Sequence, residues 1–150
     1  MILGLGSDLI DIRRIEAALD RFGERFIRRC FTPDERATAE GRLRRVETYA
    51  KRYAAKEAVA KALGTGLAEG VSWQEIGVVN EPGGRPVVRL SGRAATRLAS
   101  LTPPGHRAQV DLTLSDEPPI AHAIVLISAV PLLQGDVTVS AEMAKPLALS

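Results

Sequence analysis

The chain has 150 residues, 45 % hydrophobic and 25 % charged, with a net charge of +2, which describes a soluble protein with room for a real core in one domain. No apolar run approaches the roughly 20 residues of a membrane-spanning helix, and Met1-Ile2-Leu3-Gly4 enters patterned sequence without a basic n-region or long h-region, predicting no signal peptide and a cytoplasmic location. One cysteine, Cys30, rules out an internal disulfide framework, and with His106 and His122 alone beside it a usual four-ligand zinc site is not expected.

Ile2 to Asp8 is short and apolar-rich and ends in Gly6-Ser7-Asp8, the pattern of a buried strand delivering Asp8 to its end. Gly4-x-Gly6 lacks the third glycine of a dinucleotide fingerprint, where Leu9 stands, and no GxxxxGK-Ser/Thr phosphate loop occurs. Asp8 has two competing readings, N-cap of the following helix or metal ligand. From Leu9 to Cys30, Ile12, Ile15, Leu19, Phe22 and Phe26 recur at helical spacing, while the other side carries Arg13, Arg14, Arg21, Arg25, Arg28 and Arg29. Between Arg13 and Arg52, 12 basic residues stand against 7 acidic ones, a local net charge of +5. A solvated face and a docking surface for an acidic partner both fit this charge. Nucleic acid is one such partner, but aromatics make up 4 % of the chain and do not interleave with the arginines, and an acidic protein fits at least as well.

Phe31-Thr32-Pro33-Asp34-Glu35 predicts a helix start, with Thr32 as N-cap, Pro33 at the first position and Glu35 completing a capping box; Gly41 ends this helix after about Glu40. A longer helix begins near Val46 and carries Arg52-Tyr53-Ala54-Ala55-Lys56-Glu57-Ala58-Val59-Ala60-Lys61-Ala62-Leu63, stopped by Gly64-Thr65-Gly66. Ala55, Val59 and Ala62 form its apolar stripe. Glu57 and Lys61 share another face, and Lys56 points about 100° away from Glu57. The bland reading of Glu57 and Lys61 is a surface ion pair, but the small alanines beside them leave room for something to approach. Trp73–Asn80 and Pro86–Leu90 read as strands around the turn Glu81-Pro82-Gly83-Gly84-Arg85, and Ser91 caps a short helix to about Leu101. Val110, Leu112 and Leu114 alternate, as does Ile120 to Val130, with Ser115 to Pro119 turning between them. His122 reads as a packed or edge residue, and His106 falls in a Pro/Gly loop. Pro131 to Ser150 carries little pattern and reads as a loosely ordered tail after a 1–130 domain. The element order gives an α+β fold with an antiparallel sheet packed on the long helix and shorter helices.

Gly4-Leu5-Gly6-Ser7-Asp8-Leu9-Ile10-Asp11-Ile12-Arg13-Arg14-Ile15, Phe31-Thr32-Pro33-Asp34-Glu35 and the Arg52 to Gly66 stretch together resemble the short, single-domain branch of the 4′-phosphopantetheinyl transferases, the holo-acyl-carrier-protein synthases. Gly83-Gly84-Arg85-Pro86 and Leu112-Thr113-Leu114-Ser115-Asp116-Glu117 stand where that family has its Gly-Lys/Arg-Pro turn and Ser-rich strand. The resemblance spans roughly residues 1 to 130 and implies transfer of 4′-phosphopantetheine from coenzyme A to a serine of apo-acyl carrier protein, releasing adenosine 3′,5′-bisphosphate. It also implies Mg²⁺ dependence, a place in fatty acid biosynthesis, and a homotrimer with active sites between subunits.

By the same resemblance Asp8 and Glu57 are the Mg²⁺ carboxylates, a donor type that suits a hard ion shared with phosphates. Glu57 and Lys61 are the catalytic residues. Lys61 either neutralises charge on the diphosphate or handles the serine proton; charge stabilisation is favoured because an ordinary lysine is protonated at pH 7. A metal-bound water or Glu57 is the alternative base. Coenzyme A is expected at Arg52, Lys56, Lys61, Gly64, Thr65, Gly66, Gly84, Arg85 and Pro86, with a surface salt bridge the competing role for Arg52. Arg13, Arg14, Arg21 and Arg25 are expected to dock the carrier protein. Asp111 and Asp116 depart from the family pattern, many relatives having histidine at the first position and some at the second; an acidic group there repels a diphosphate unless a metal or a base intervenes. The alternative from another class is a non-catalytic module whose basic helix holds nucleic acid or an acidic protein.

Overall fold

The computed structural model describes residues 1–67 and 70–133. Strand β1 (Ile2–Asp11) runs directly into α1 (Ile12–Phe22), followed by α2 (Glu24–Cys30), α3 (Pro33–Glu40) and the long α4 (Arg45–Leu63). A 3-10 turn at Trp73–Glu75 leads into the hairpin β2 (Ile76–Asn80) and β3 (Pro86–Leu90). Helix α5 (Gly92–Leu101) then precedes a second hairpin, β4 (His106–Glu117) and β5 (Ile120–Pro131). β1 pairs antiparallel with β5, giving a sheet of order β1-β5-β4, while β2 and β3 form a separate two-stranded sheet. This is the α+β architecture expected. Pro131 closes β5, and the expected tail lies outside the described residues from 134 onward.

The core forms where α4 lies along β1 and β5. Ala55, Val59 and Ala62 are buried as expected, but so are Tyr49, Ala50, Ala54, Ala58, Ala60 and Leu63, so α4 is enclosed around most of its circumference rather than along one stripe. Ala121, Ala123, Val125 and Ile127 of β5 supply the facing layer. Small residues on the helix let the strands come close. At Gly4 a Cβ would collide with the carbonyl oxygen of Ala62, and at Gly6 with that of Ala58. Backbone-to-backbone packing therefore needs glycine at both positions. The opposite face of the sheet leaves Leu5, Leu9, Ile120 and Ile124 exposed.

The helix ends follow local chemistry. Thr32 Oγ1 accepts from Glu35 N–H (3.3 Å) and Glu35 Oε1 accepts from Thr32 N–H (2.8 Å), the expected capping box. Gly64, with φ of 75°, closes α4 in the left-handed conformation.

Several readings change. The helix expected from Leu9 to Cys30 starts only at Ile12, because pairing with β5 keeps the backbone extended as far as Asp11 opposite Ile120. It then breaks at Gly23, whose φ of 52° ends one helix and starts another. Asp8 is not the N-cap: Asp11 Oδ1 accepts from Arg13 N–H at 2.9 Å and fills that role. Trp73–Glu75 is 3-10 rather than strand, and His106 opens β4 rather than lying in a loop. At α5 the Ser91 side chain makes no cap bond; Glu75 Oε2 accepts from Ala94 N–H at 3.0 Å instead.

Replacing Gly6 with alanine forces β1 off α4 and should lower stability by about 3 kcal/mol or more, as overpacked cores do. Gly83→Ala, where nothing lies within 4 Å of the added Cβ, should change stability by less than about 0.5 kcal/mol. Urea denaturation of the two variants measures the contrast; equal midpoints exclude the close approach.

Candidate active site

The close approach of β1 to α4 decides which side chains meet. Gly4, Gly6 and Asp8 alternate onto the α4 face of the strand. On α4, Glu57 and Lys61 flank Ala58 and Ala62 and sit one turn apart. Lys61 Nζ donates to Asp8 Oδ1 at 2.9 Å and to the Ser7 carbonyl oxygen at 3.0 Å. Helical side chains lean toward the N-terminus, which carries Lys61 back over the strand. The Glu57 carboxyl is held above the usual glutamate range, first by burial and then by the negative charge of Asp8, with Lys61 pulling the other way. Two carboxylates that sequence spacing could not bring together are therefore neighbours, and one ammonium partly compensates them.

Such a pair is what a hard divalent cation needs from a protein: oxygen donors, surplus negative charge and open sides for water and phosphate. Among the described residues no cluster of three or more His, Cys, Asp or Glu side chains occurs, which leaves an ion here to draw its other ligands from substrate and solvent. The residues fit a Mg²⁺ site shared with a diphosphate. Ser7 Oγ and His122 Nε2 lie 3.0 Å apart on the outer face of the sheet; His122 is half-buried on β5, the central strand, so of the two sequence readings it is the packed residue and not the edge one.

The other expected positions divide. Lys56 and Arg52 are inside the protein, at 0 % and 1 % exposure, and neither faces the cleft. Lys56 is ion-paired with buried Glu35 and donates to the Trp73 carbonyl oxygen at 2.9 Å; burial lowers its pKa despite Glu35. Arg52 Nη2 donates to Asn80 Oδ1 at 3.1 Å, and burial, with Arg42 nearby, lowers its pKa too. Their expected phosphate contacts are corrected accordingly: α4 turns both side chains into the core, leaving Glu57 outward. Neither is Arg52 a surface salt bridge.

Gly64, Thr65 and Gly66 turn back over the end of α4, with Thr65 and Gly66 N–H donating to the Ala60 carbonyl oxygen, and Thr65 Oγ1 is buried with no hydrogen-bond partner among the described residues. Gly84 and Arg85 lie in the β2–β3 turn and Pro86 opens β3, with Arg85 tied to Asp111 at 3.4 Å on β4, the strand farthest from β1 in its sheet. Asp116 is met by Lys51 at 3.2 Å and Arg44 at 3.9 Å. Each departure from the histidine pattern is thus faced by a base.

Arg14, Arg21 and Arg25 are exposed on α1 and α2, whereas Arg13 is bound to Asp11 by paired hydrogen bonds that hold the aspartate at about pKa 2. Sequence reasoning missed Gly4 and Gly6 as packing positions, although two glycines at i and i+2 before the aspartate, with Ala58 and Ala62 at helical spacing, carried the signal. It also missed the open cleft of Arg29, Glu57, Leu67 and Trp73 beside the carboxylates, where Trp73 packs against Tyr53 at 4.7 Å. No local pattern announces that cleft.

Comparison with known proteins agrees with this geometry. The family model for the 4′-phosphopantetheinyl transferase superfamily matches residues 4–113. A holo-acyl-carrier-protein synthase of Sinorhizobium medicae is 59 % identical over 139 residues, 93 % of this chain and 100 % of the relative. One from Beijerinckia indica is 63 % identical over 130 residues, 87 % of this chain and 93 % of the relative. The crystal structure of the Neisseria meningitidis synthase superposes with a TM-score of 0.76 at 34 % identity, covering 85 % of this chain and 99 % of that one. The Bacillus anthracis synthase, solved in complex with coenzyme A (3′,5′-ADP), gives a TM-score of 0.67 at 36 % identity, covering 85 % and 96 %. The chain belongs to the 4′-phosphopantetheinyl transferase superfamily, an enzyme among its holo-acyl-carrier-protein synthases. No helix among its described residues is long and apolar enough to cross a membrane.

Glu57 gives a pH signature in metal-free protein. Its raised pKa means the native state holds a proton more tightly than the unfolded chain, whose glutamate titrates near 4.5, so stability falls as pH rises from there through the native value. Glu57→Gln in EDTA should melt above wild type at pH 7, with the gain vanishing below pH 4.5. Equal melting temperatures at pH 7 would refute the combined burial and Asp8 repulsion that raise the Glu57 pKa. Lys56→Met leaves Glu35 buried and unpaired and should cost about 3–5 kcal/mol, while adding Glu35→Gln recovers part of that loss by denaturation.

Proposed function

We propose that this chain transfers 4′-phosphopantetheine from coenzyme A to a serine hydroxyl of apo-acyl carrier protein, yielding holo-acyl carrier protein and adenosine 3′,5′-bisphosphate, in the cytoplasm and in the service of fatty acid biosynthesis. The observation that carries this reading is the meeting of Asp8, Glu57 and Lys61 where β1 touches α4. Asp8 and Glu57 hold Mg²⁺, which supplies charge neutralisation at the diphosphate when bound.

Lys61, exposed and held by Asp8 and the Ser7 carbonyl, swings its ammonium onto the oxygens of the diphosphate as charge builds on the leaving bisphosphate. Glu57, or a water beside it, takes the proton of the attacking serine. Gly64, Thr65 and Gly66, folded back over the end of α4, border the pantetheine arm. Gly84, Arg85 and Pro86 border the nucleotide, Arg85 being held by Asp111. Arg14, Arg21 and Arg25, with Arg13 beside them, steer the acidic carrier protein and fix its register.

The exposed Leu5, Leu9, Ile120 and Ile124 on the outer sheet face suit a homotrimer that covers them. In that assembly the β2–β3 turn of one subunit borders a nucleotide whose diphosphate lies at Asp8 and Glu57 of the next.

Intact-mass spectrometry of apo-acyl carrier protein with coenzyme A and Mg²⁺ tests the reaction. One phosphopantetheine should be added, and EDTA should abolish the gain. Asp8→Ala and Glu57→Gln should lower the rate at least about a hundredfold, and Lys61→Met about a hundred- to a thousandfold, with the fold retained by circular dichroism. A folded wild-type protein that modifies no carrier, fatty-acid or polyketide/peptide type, overturns the assignment.

A further inference from the structure

Each residue of the 3-10 turn holds a different helix. The Trp73 carbonyl accepts from Lys56 of α4, and the Glu75 carboxylate accepts from Ala94 N–H at the start of α5. Gln74 Nε2 donates to the carbonyl oxygens of Arg28 (2.8 Å), Phe31 (2.9 Å) and, at the longer 3.4 Å, Arg29. All three neighbours are acceptors, which fixes the nitrogen end of the amide toward them. A helix leaves its last carbonyls without intrahelical donors, and a 7-residue helix such as α2 does not hold its shape alone. The end of α2 therefore takes its position from what caps and packs it.

That end matters because of Arg29. Its side chain lines the groove formed with Phe22, Arg25 and Phe26, and also the cleft formed with Glu57, Leu67 and Trp73. Arg29 is the shared wall between the basic surface and the carboxylate site. Gln74 binds the backbone of Arg29, of Arg28 just before it and of Phe31, the residue that caps α2.

We infer that Gln74 is a positioning residue for carrier docking: by capping α2 it sets Arg25 and Arg29 at a fixed offset from Glu57, so that the acceptor serine of a docked acidic carrier arrives in register with the site. Gln74 takes this role only if the transferase reading holds, and it acts without touching the reacting atoms. A purely structural cap would instead lower thermal stability and leave substrate discrimination unchanged, since Phe31 and Ile27 already anchor α2 in the core.

The test compares Gln74→Leu, which removes the donor, with Gln74→Lys, which keeps a donor and adds a cation suited to a helix C-terminus. Binding of apo-acyl carrier protein is measured by titration, and kcat with KM for each substrate by steady-state kinetics. Gln74→Leu should raise Kd and KM for the carrier about five- to tenfold, the scale of one or two hydrogen bonds, with KM for coenzyme A and kcat within about twofold of wild type. Gln74→Lys should recover most of the loss. If Gln74→Leu does not fold, Gln74→Asn, one methylene short of the same carbonyls, makes the same comparison. Unchanged carrier KM, or losses shared equally by both substrates, overturns the inference alone. A wild-type protein that neither binds nor modifies a carrier overturns it together with the transferase reading.

Discussion

The structure depends on how closely β1 lies against α4. A strand and a helix normally keep side chains between them, but here Gly4 and Gly6 face the carbonyl oxygens of Ala62 and Ala58 with nothing interposed. The alternation that puts these glycines on the helix puts Asp8 there as well, two residues beyond the contact. Removing side chains from the interface is what brings a carboxylate on residue 8 to a carboxylate on residue 57. Asp8, Glu57 and Lys61 are thus placed by backbone packing, the least deformable part of a core.

Charge is then divided between inside and outside within single residues of α4. Lys56 turns inward to Glu35, whose two oxygens also serve Thr32 and Val78, so this buried pair is neutral and hydrogen-bonded. Glu57, about 100° around the helix, is left outward with an unfavourable neighbour in Asp8. Holding Lys56 fixes the rotation of the helix, and the rotation fixes where Glu57 points. Beside this negative centre stand the arginines of α1 and α2. A site rich in negative charge next to a basic surface suits a cation on one side and an acidic macromolecule on the other.

Local rules written into the chain were legible in advance. The Thr32 capping box, the Gly64 stop, both hairpins and the α+β class followed from short patterns that tertiary contacts reinforced. Where a distant partner overrode the local signal, the reading failed. Ile12 and Ile15 continue a helical periodicity from Leu9, yet β5 holds the chain extended to Asp11, so the cap passes from Asp8 to Asp11. Lys56 and Arg52 look like surface cations on a helix, and only their burial against Glu35 and Asn80 shows otherwise. Asp8 and Glu57 were paired by family resemblance, since no periodicity links residues 49 positions apart. The glycines that make the pairing possible were visible, but their meaning depended on knowing that Ala58 and Ala62 lay opposite.

The same strand also joins the site to the outer face of the sheet. Leu5, Ser7 and Leu9 point away from α4, between Gly4, Gly6 and Asp8, and Ser7 meets His122 there. Side chains on a strand change face with every residue, so a slip of one position would replace Asp8 by Leu9 at the carboxylate site and bring charge onto the apolar face. Register against β5, kept from Gly4 opposite Ile127 to Asp11 opposite Ile120, therefore protects both surfaces at once. A subunit packed on Leu5 and Leu9 would bear on the strand whose other face carries Asp8. Assembly and chemistry in this fold would then share one constraint, the position of β1, because the strand is too tightly packed on α4 to move one face without the other.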